Sequence, residues 1–298
     1  MVRAQMSVLR ARATSLPILS LVMAFVMVTP VVASSSGNVA SGLLDGLGAF
    51  ERSLGLEAAA TVSAHRHVYR RSGIDVSHWQ GRIDWPKVAA SGVDFAIIKA
   101  TDGSTDADEW YHRNRNRARR AGLYVTAYHF AHPGLSGRGT RQQRILRDAR
   151  IQAHFFLRNA NLSPRDLIPA LDLELAGGLR PAELQDWTIT FLREVEGAIG
   201  AKPMVYSTAA FWRSHLGDTA NIARAGFDVF WVAHWDTHTP DVPGREWLGR
   251  GWTFWQWTDC GRIRGIYDCV DRNTYTSTKS LKSLRIIHRQ VHRTVRHR

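Results

Sequence analysis

The chain has 298 residues, of which 44% are hydrophobic and 22% charged, with eleven tryptophans and a formal charge of +13. That length suits one large domain or two small ones, and about 250 residues are enough for a single α/β barrel. The charge is uneven: residues 1–71 carry seven Arg against three acids, residues 279–298 carry seven Lys and Arg and no acid, and the segment between is left at +2, so the basicity belongs to the two ends and is no sign of a nucleic-acid substrate.

In chain order, Arg3, Arg10 and Arg12 precede an apolar run from Leu16 to Ala33 that breaks into Ser34, Ser35, Ser36 and Gly37. Val31 and Ala33 occupy the small positions that a signal peptidase reads, so residues 1–33 are predicted to be a secretory signal peptide. An uncleaved membrane anchor is the competing reading; Pro17, Pro30 and the small-residue exit favour cleavage. Residues 34–71 are rich in Ala, Gly and Ser and read as a linker or removable pro-segment. Leu43, Leu47, Phe50 and Leu54 recur at helical spacing there, so a short helix packed on the main domain is the alternative, weakened by Gly42, Gly46, Gly48 and Gly55.

From residue 72 to residue 278 apolar strand segments alternate with helix-compatible ones. The strand candidates are RSGIDVS, VDFAIIKAT, LYVTAYHF, LIPALDLEL, KPMVYST, FDVFWVAHW, WTFWQWT and YDCVDRN; the intervening helices are expected at 110–121, 140–159, 181–199 and 209–225. Repeated βα units imply an α/β fold, and about eight strands imply a closed, TIM-like barrel. The later strands follow one another with little room for helices, so the second half is expected to be irregular.

Asp172 and Glu174 stand one residue apart inside an apolar strand segment. Side chains at i and i+2 of a strand face the same way, so both carboxyls point at one place. Burying two like charges is costly unless the chemistry needs it, and glycoside cleavage needs one carboxyl protonated and another ionised. The competing reading is an acidic strand end paired with Arg. Working residues of a barrel gather at the C-terminal ends of its strands. Those ends carry Asp75, Asp102, Tyr128, His129, Asp172, Glu174, Tyr206, His234, Trp235, Gln256, Trp257 and Asp271. Acids for bond cleavage, aromatic faces for sugar rings and amides for hydroxyls describe a carbohydrate cleft.

Together GIDVSHWQG at 73–81, FAIIKATDG at 95–103, YVTAYHFAHP at 124–133, PALDLE at 169–174, VYST at 205–208 with FW at 211–212, FWQW at 254–257 and VDRNTY at 270–275 resemble the glycoside hydrolase family 25 lysozymes, in order and in rough spacing. The resemblance covers residues 72–278. It implies a distorted barrel with fewer helices than strands, and cleavage of the β-1,4 bond from N-acetylmuramic acid to N-acetylglucosamine in peptidoglycan. Carried over position by position, it makes Glu174 the general acid, Asp172 its partner on the same strand, and Asp75 and Asp271 two further acids of the groove, with Tyr128, Tyr206, His234, Trp235, Gln256 and Trp257 as substrate-binding residues. Two departures bear on substrate grip: Asp102 stands where many relatives have Glu, and His234-Trp235 where a small residue followed by Tyr is usual. A chitinase-like glycosidase and a non-catalytic wall-binding lectin are the alternative functions.

Cys260 and Cys269 are the only cysteines and flank GRIRGIYD. In an exported protein a close pair is expected to form a disulfide, and no companion His pattern suggests zinc. Neither a metal nor a cofactor is expected, and no Gly-rich phosphate loop is present. The last twenty residues are expected to be a basic tail that is either solvated or attached electrostatically to anionic wall polymers or lipid headgroups. The secretory signal argues against nucleic acid as a partner, and the enzyme is expected to be a secreted monomer.

Overall fold

A computed structural model describes residues 67–286; the expected signal segment 1–33, the linker up to residue 66 and the tail from residue 287 lie outside the described residues. In chain order the strands are β1 (Tyr69–Val76), β2 (Phe95–Asp102), the two-residue flap β3 (Asp106–Ala107), β4 (Tyr124–Phe130), β5 (Ala170–Asp172), β6 (Met204–Thr208), β7 (Phe230–Ala233), β8 (Phe254–Gly261) and β9 (Val270–Ser277). Eight of them close into a barrel because β1 pairs with both β2 and β9, while β3 only edges β2. Around the barrel β1, β2 and β4 to β8 are parallel, and β9 runs antiparallel to β1 and β8. The parallel crossovers carry α1 (Trp85–Ala90), α2 (Tyr111–Arg120), α3 (Arg141–Ala160), α4 (Pro181–Ile199), α5 (Ala209–Leu216) and α6 (Asn221–Arg224). The last connection is a hairpin, bridged by the Cys260–Cys269 disulfide with Cα atoms 4.5 Å apart.

The elements start and stop where local chemistry says they should. Thr140 and Gln143 form a reciprocal capping box at the start of α3, and Asn161 ends it in the left-handed region. Pro181 opens α4 and Gly200 (φ 69°) closes it. The helix expected over 209–225 is broken at Gly217 (φ 70°) into α5 and α6. Between β7 and β8 the expected irregularity takes an unforeseen form: residues 244–248 all have φ between 43° and 63°, a left-handed helical turn. L-residues disfavour that turn. Trp247 anchors it, fully buried, stacked on Phe230 at 4.2 Å and donating its indole N–H to Phe227 O at 3.2 Å.

Strand alternation divides the core into two layers. Phe95 and Ile97 of β2, Ala170, Met204, Tyr206, Trp231, Ala233, Phe254 and Tyr275 fill the barrel interior. Their neighbours Ala96, Ile98, Leu171, Leu173, Val205, Phe230 and Val232 face outward against α3, α4 and α5 through Phe156, Trp187, Phe191 and Trp212. Gly73 on β1 is required by this filling, since a Cβ there would sit 2.2 Å from the Phe95 ring. Both expected domain edges lie further out than 72 and 278. β1 already pairs with β9 at Tyr69, and Leu281 and Ile286 are buried at the N-terminal end of the barrel, where Ile286 N–H donates to Asp166 O at 3.0 Å.

Candidate active site

The strand pairing that closes the barrel brings Asp75 and Asp271 opposite each other, on β1 and β9. Asp75 is buried, and its Oδ2 accepts from Asn273 Nδ2 at 2.7 Å and Gln256 Nε2 at 3.0 Å. Each of those amides is oriented in turn. Trp231 Nε1–H donates to Asn273 Oδ1 at 2.7 Å, while Tyr206 Oη–H and Trp235 Nε1–H both donate to Gln256 Oε1, at 3.0 and 3.1 Å. With their oxygens taken by donors, both amides must turn their NH2 groups to Asp75. Burial raises the Asp75 carboxyl and these donors oppose the rise. Asp271 has no such donor set; burial, then the charge of Asp75, push it up to about 10. The pair therefore retains one proton at neutral pH, carried by Asp271 and given as a hydrogen bond to ionised Asp75.

The second pair comes from β5. Ala170 faces the interior, Leu171 and Leu173 face outward, and Asp172 and Glu174 turn inward again. The strand proper ends at Asp172, but Leu173 N–H still donates to Tyr206 O at 3.0 Å, so the alternation carries through to Glu174. Asp172 is 6% exposed and its Oδ1 has no hydrogen-bond partner, whereas Glu174 is half-buried at the mouth. The two carboxyls are within hydrogen-bonding reach of each other. Burial is the first cause of elevation for both; the negative charge of Glu174 adds to that of Asp172, while the bond to Asp172 partly offsets the rise at Glu174. Both carboxyls are thus pushed towards the protonated form, the deeper Asp172 more strongly.

Tyr128 and Tyr206 line the same space. Burial and the facing carboxylates raise both phenols well above their ordinary range, so both are neutral hydroxyl donors. Tyr206 is committed to Gln256, while the Tyr128 hydroxyl bonds no described residue. Trp235 is 37% exposed with its N–H anchored on Gln256, which leaves a ring edge at the rim. Four other sequence candidates lie away from the acids. His234 follows the inward Ala233 and faces the next loop, where its Nδ1 accepts from Asp241 N–H at 2.8 Å. Trp257 follows the inward Gln256 and lies under the Arg272 guanidinium, 5.3 Å from its ring centre. His129 points into the helical layer, hydrogen-bonded to Thr101 and Gln152 and stacked on Phe191 at 4.8 Å; burial pushes it down to about 3, so it is neutral. Asp102 is paired with Lys99 and, at 2.8 Å, with His132 Nε2.

Asn273, Trp231 and Lys99 were not singled out from sequence. Asn273 was within reach of the same i, i+2 rule applied to Asp271. Lys99, inside the KATD motif, stands near enough to lower Asp172 electrostatically. Among the described residues no cluster of three or more His, Cys, Asp and Glu side chains is arranged to hold a metal ion. Two carboxyl pairs, all four acids raised by burial in an aromatic-walled barrel, can donate a proton to a leaving oxygen and stabilise positive charge beside it.

Comparison with known proteins agrees with that chemistry. Residues 74–266 match the glycosyl hydrolases family 25. Lysozyme M1 of Streptomyces globisporus is 35% identical over 215 residues, covering 69% of this chain and 68% of that protein. The N,O-diacetylmuramidase of Arthroderma benhamiae is 28% identical over 205 residues, covering 65% and 79%. Among solved structures, the bacterial lysozyme from Streptomyces coelicolor superposes with a TM-score of 0.62 at 33% identity, covering 72% of this chain and 94% of that one. A family GH25 lysozyme from Aspergillus fumigatus gives 0.59 at 27% identity, covering 70% and 95%. The chain belongs to glycosyl hydrolase family 25 and is a glycoside hydrolase of the muramidase type.

Proposed function

We propose that this hydrolase is a secreted lysozyme that cuts the β-1,4 bond from N-acetylmuramic acid to N-acetylglucosamine in peptidoglycan, with Glu174 as general acid and Asp172 assisting. The observation that carries the assignment is the placement of Asp172 and Glu174 side by side on the inward face of β5, with both carboxyls raised first by burial. A carboxyl acting as nucleophile must approach the sugar from the face opposite the departing oxygen, with the two carboxyls about 5 Å apart in retaining enzymes. Two carboxyls at i and i+2 of one strand, on the same side, cannot flank a bond in that way. The substrate's 2-acetamido oxygen is the better placed nucleophile.

In that route the acetamido N–H donates to Asp172, which stabilises its ionised form and sends its proton to Glu174. Glu174 then protonates the bridging oxygen as the C1–O bond breaks and the acetamido oxygen closes on C1. Ionised Asp172 offsets the positive charge on the ring formed. In the second half Glu174, now ionised, takes a proton from water as the water oxygen opens that ring at C1. Asp75, held ionised by Gln256 and Asn273, adds negative potential, and the Tyr128 hydroxyl is free to bind a sugar oxygen.

Secretion rests on the apolar segment before residue 34, and wall or lipid attachment on the basic tail. Because residues 281–286 belong to the barrel, a tail truncation begins at residue 287. Equal wall affinity and salt slope with and without residues 287–298 would exclude the tail as an anchor. The function itself is tested by mass spectrometry of fragments released from defined peptidoglycan. New muramic reducing ends are expected; glucosamine reducing ends, or cleavage of chitin alone, would refute the assignment.

A further inference from the structure

The near-neutral middle of the chain conceals a strong separation of charge: the acids gather at the mouth, and a cationic cleft lies on the flank. α2 carries five arginines with different fates. Arg115 and Arg119 turn inward onto the buried Asp166, and Arg113 lies 4.8 Å from the Trp110 ring centre. Arg117 and Arg120, three positions apart and so on one helix face, are exposed and have no described carboxylate within 4.0 Å. They open onto a cavity of about 770 Å³ whose opposite wall includes Arg82, Lys87 and Tyr267. The one acid lining it is Asp84, which is bound to Lys87 at 2.8 Å and caps α1. Arg82, Arg117 and Arg120 thus line one space, none of them in an ion pair among the described residues, and its acid Asp84 is held by Lys87.

The wall opposite α2 is a fixed structure. The disulfide-closed hairpin docks on α1 through Asp84 N–H to Gly265 O at 2.9 Å, and Gly265 (φ 100°) is required because a Cβ there would lie 2.5 Å from Asp84 O. Tyr267 is 95% exposed on this hairpin. The same hairpin meets the turn that leaves the Asp75 strand, where Gln80 Nε2 donates to Cys269 O at 3.4 Å. The hairpin that walls the cleft is thus hydrogen-bonded to the turn that follows the Asp75 strand.

We propose that this cleft is an accessory binding site for a polyol-phosphate polymer of the bacterial wall, its phosphodiesters held by Arg82, Arg117 and Arg120 and its carbon chain laid against Tyr267. Guanidinium groups match phosphate oxygens in pairs, and three of them along one cleft suit a repeating phosphate rather than a single anion. A single-stranded nucleic acid would need successive aromatic platforms for its bases, and this cleft offers one exposed ring. The choice of a wall polymer rests on the peptidoglycan reading above; the cationic cleft does not.

The test uses the full chain and the combined variant Arg82→Gln, Arg117→Gln, Arg120→Gln, with calorimetric titration of purified polyol-phosphate polymer. The variant is expected to bind about tenfold more weakly or worse, with a shallower dependence of log affinity on log salt by roughly two to three. Tyr267→Ala should lower affinity with an unchanged salt slope. Unchanged affinity and slope in the combined variant would overturn the proposal, as would equal binding of neutral dextran or tighter binding of an oligothymidylate of matched charge. Hydrolysis of polymer-free peptidoglycan fragments should be the same in all variants. Failure of the unmodified chain on those fragments would refute the lysozyme reading and leave the binding result to be judged by itself.

Discussion

Replacing Asp271 by Asn should stabilise the protein, by an amount that grows with pH. In the folded chain Asp271 is pushed up to about 10 by burial and by the charge of Asp75. Unfolded, it ionises near its ordinary value of about 3.9. A carboxyl whose folded pKa is raised binds an extra proton in the folded state, so its contribution is most favourable below about pH 4 and is lost as pH rises towards 10. The slope is one proton, or about 1.4 kcal/mol per pH unit. At pH 7 the accumulated cost is therefore about 4 kcal/mol, an upper figure for what the substitution can recover. Asn presents an NH2 donor to Asp75 where the protonated acid presented its O–H, so the hydrogen bond survives while the proton requirement disappears. The Asp172–Glu174 pair is common to both proteins and cancels in the comparison. Guanidinium unfolding of both proteins at pH 5, 6, 7 and 8 should show the variant's advantage widening by about 1.4 kcal/mol per unit. Parallel stability curves would mean that Asp271 is ionised in the native groove and would remove the basis for its retained proton.

Glu174→Gln should lower kcat on soluble peptidoglycan fragments by about 10²–10⁴ while leaving binding to catalytically inert walls within a few-fold, because the amide keeps the shape and loses the transferable proton; near-normal kcat would exclude Glu174 as the acid. Trp231→Phe removes the donor that holds the Asn273 amide towards Asp75. Losing that support should raise the Asp75 pKa, move the acidic limb of the kcat/KM profile to higher pH, and cost about tenfold at the optimum; an unshifted limb would show the amide to be held by other means. Replacing both Cys260 and Cys269 by Ser opens a loop with a sequence separation of nine. It should cost about 2–3 kcal/mol of unfolding free energy on loop-closure grounds, and an unchanged denaturation midpoint would contradict it.

The barrel was legible because its signals are local and repeat: apolar segments of strand length, helix-compatible stretches between them such as 140–159 and 181–199, and the i, i+2 placement of Asp172 and Glu174 all follow from backbone periodicity. Strand ends were a coarser guide. They picked out positions near the mouth but not the side of the sheet, so His129, His234 and Trp257 were grouped with the acids although alternation turns them outward. The parity of each strand relative to a known inward residue would have separated them: Ala233 is inward, so His234 is not. The antiparallel strand that completes the closure was beyond local reading. Asp75 and Asp271 are 196 positions apart and meet only because β9 runs antiparallel back to β1, a pairing set by the whole barrel. The left-handed turn at 244–248 has no local signature either, because Trp247 holds it by packing on Phe230 and Trp212 rather than by any preference of the five residues.

Aromatic residues in the mouth have a different task from the one sugar binding suggests. Tyr206 and Trp231 are buried and donate to amide oxygens, so they act on Asp75 through Gln256 and Asn273. Their rings also make the surroundings apolar, which by itself would raise every carboxyl in the cluster. The two effects are separable in space. Burial acts on all four acids, whereas oriented amide donors reach Asp75 alone, and the difference between a general elevation and a local rescue is what leaves one acid of that pair ionised and the other protonated. No comparable donors reach Asp172, whose Oδ1 is buried without a partner. The donors from β6, β7, β8 and β9 thus converge on the Asp75 pair and not on the Asp172–Glu174 pair.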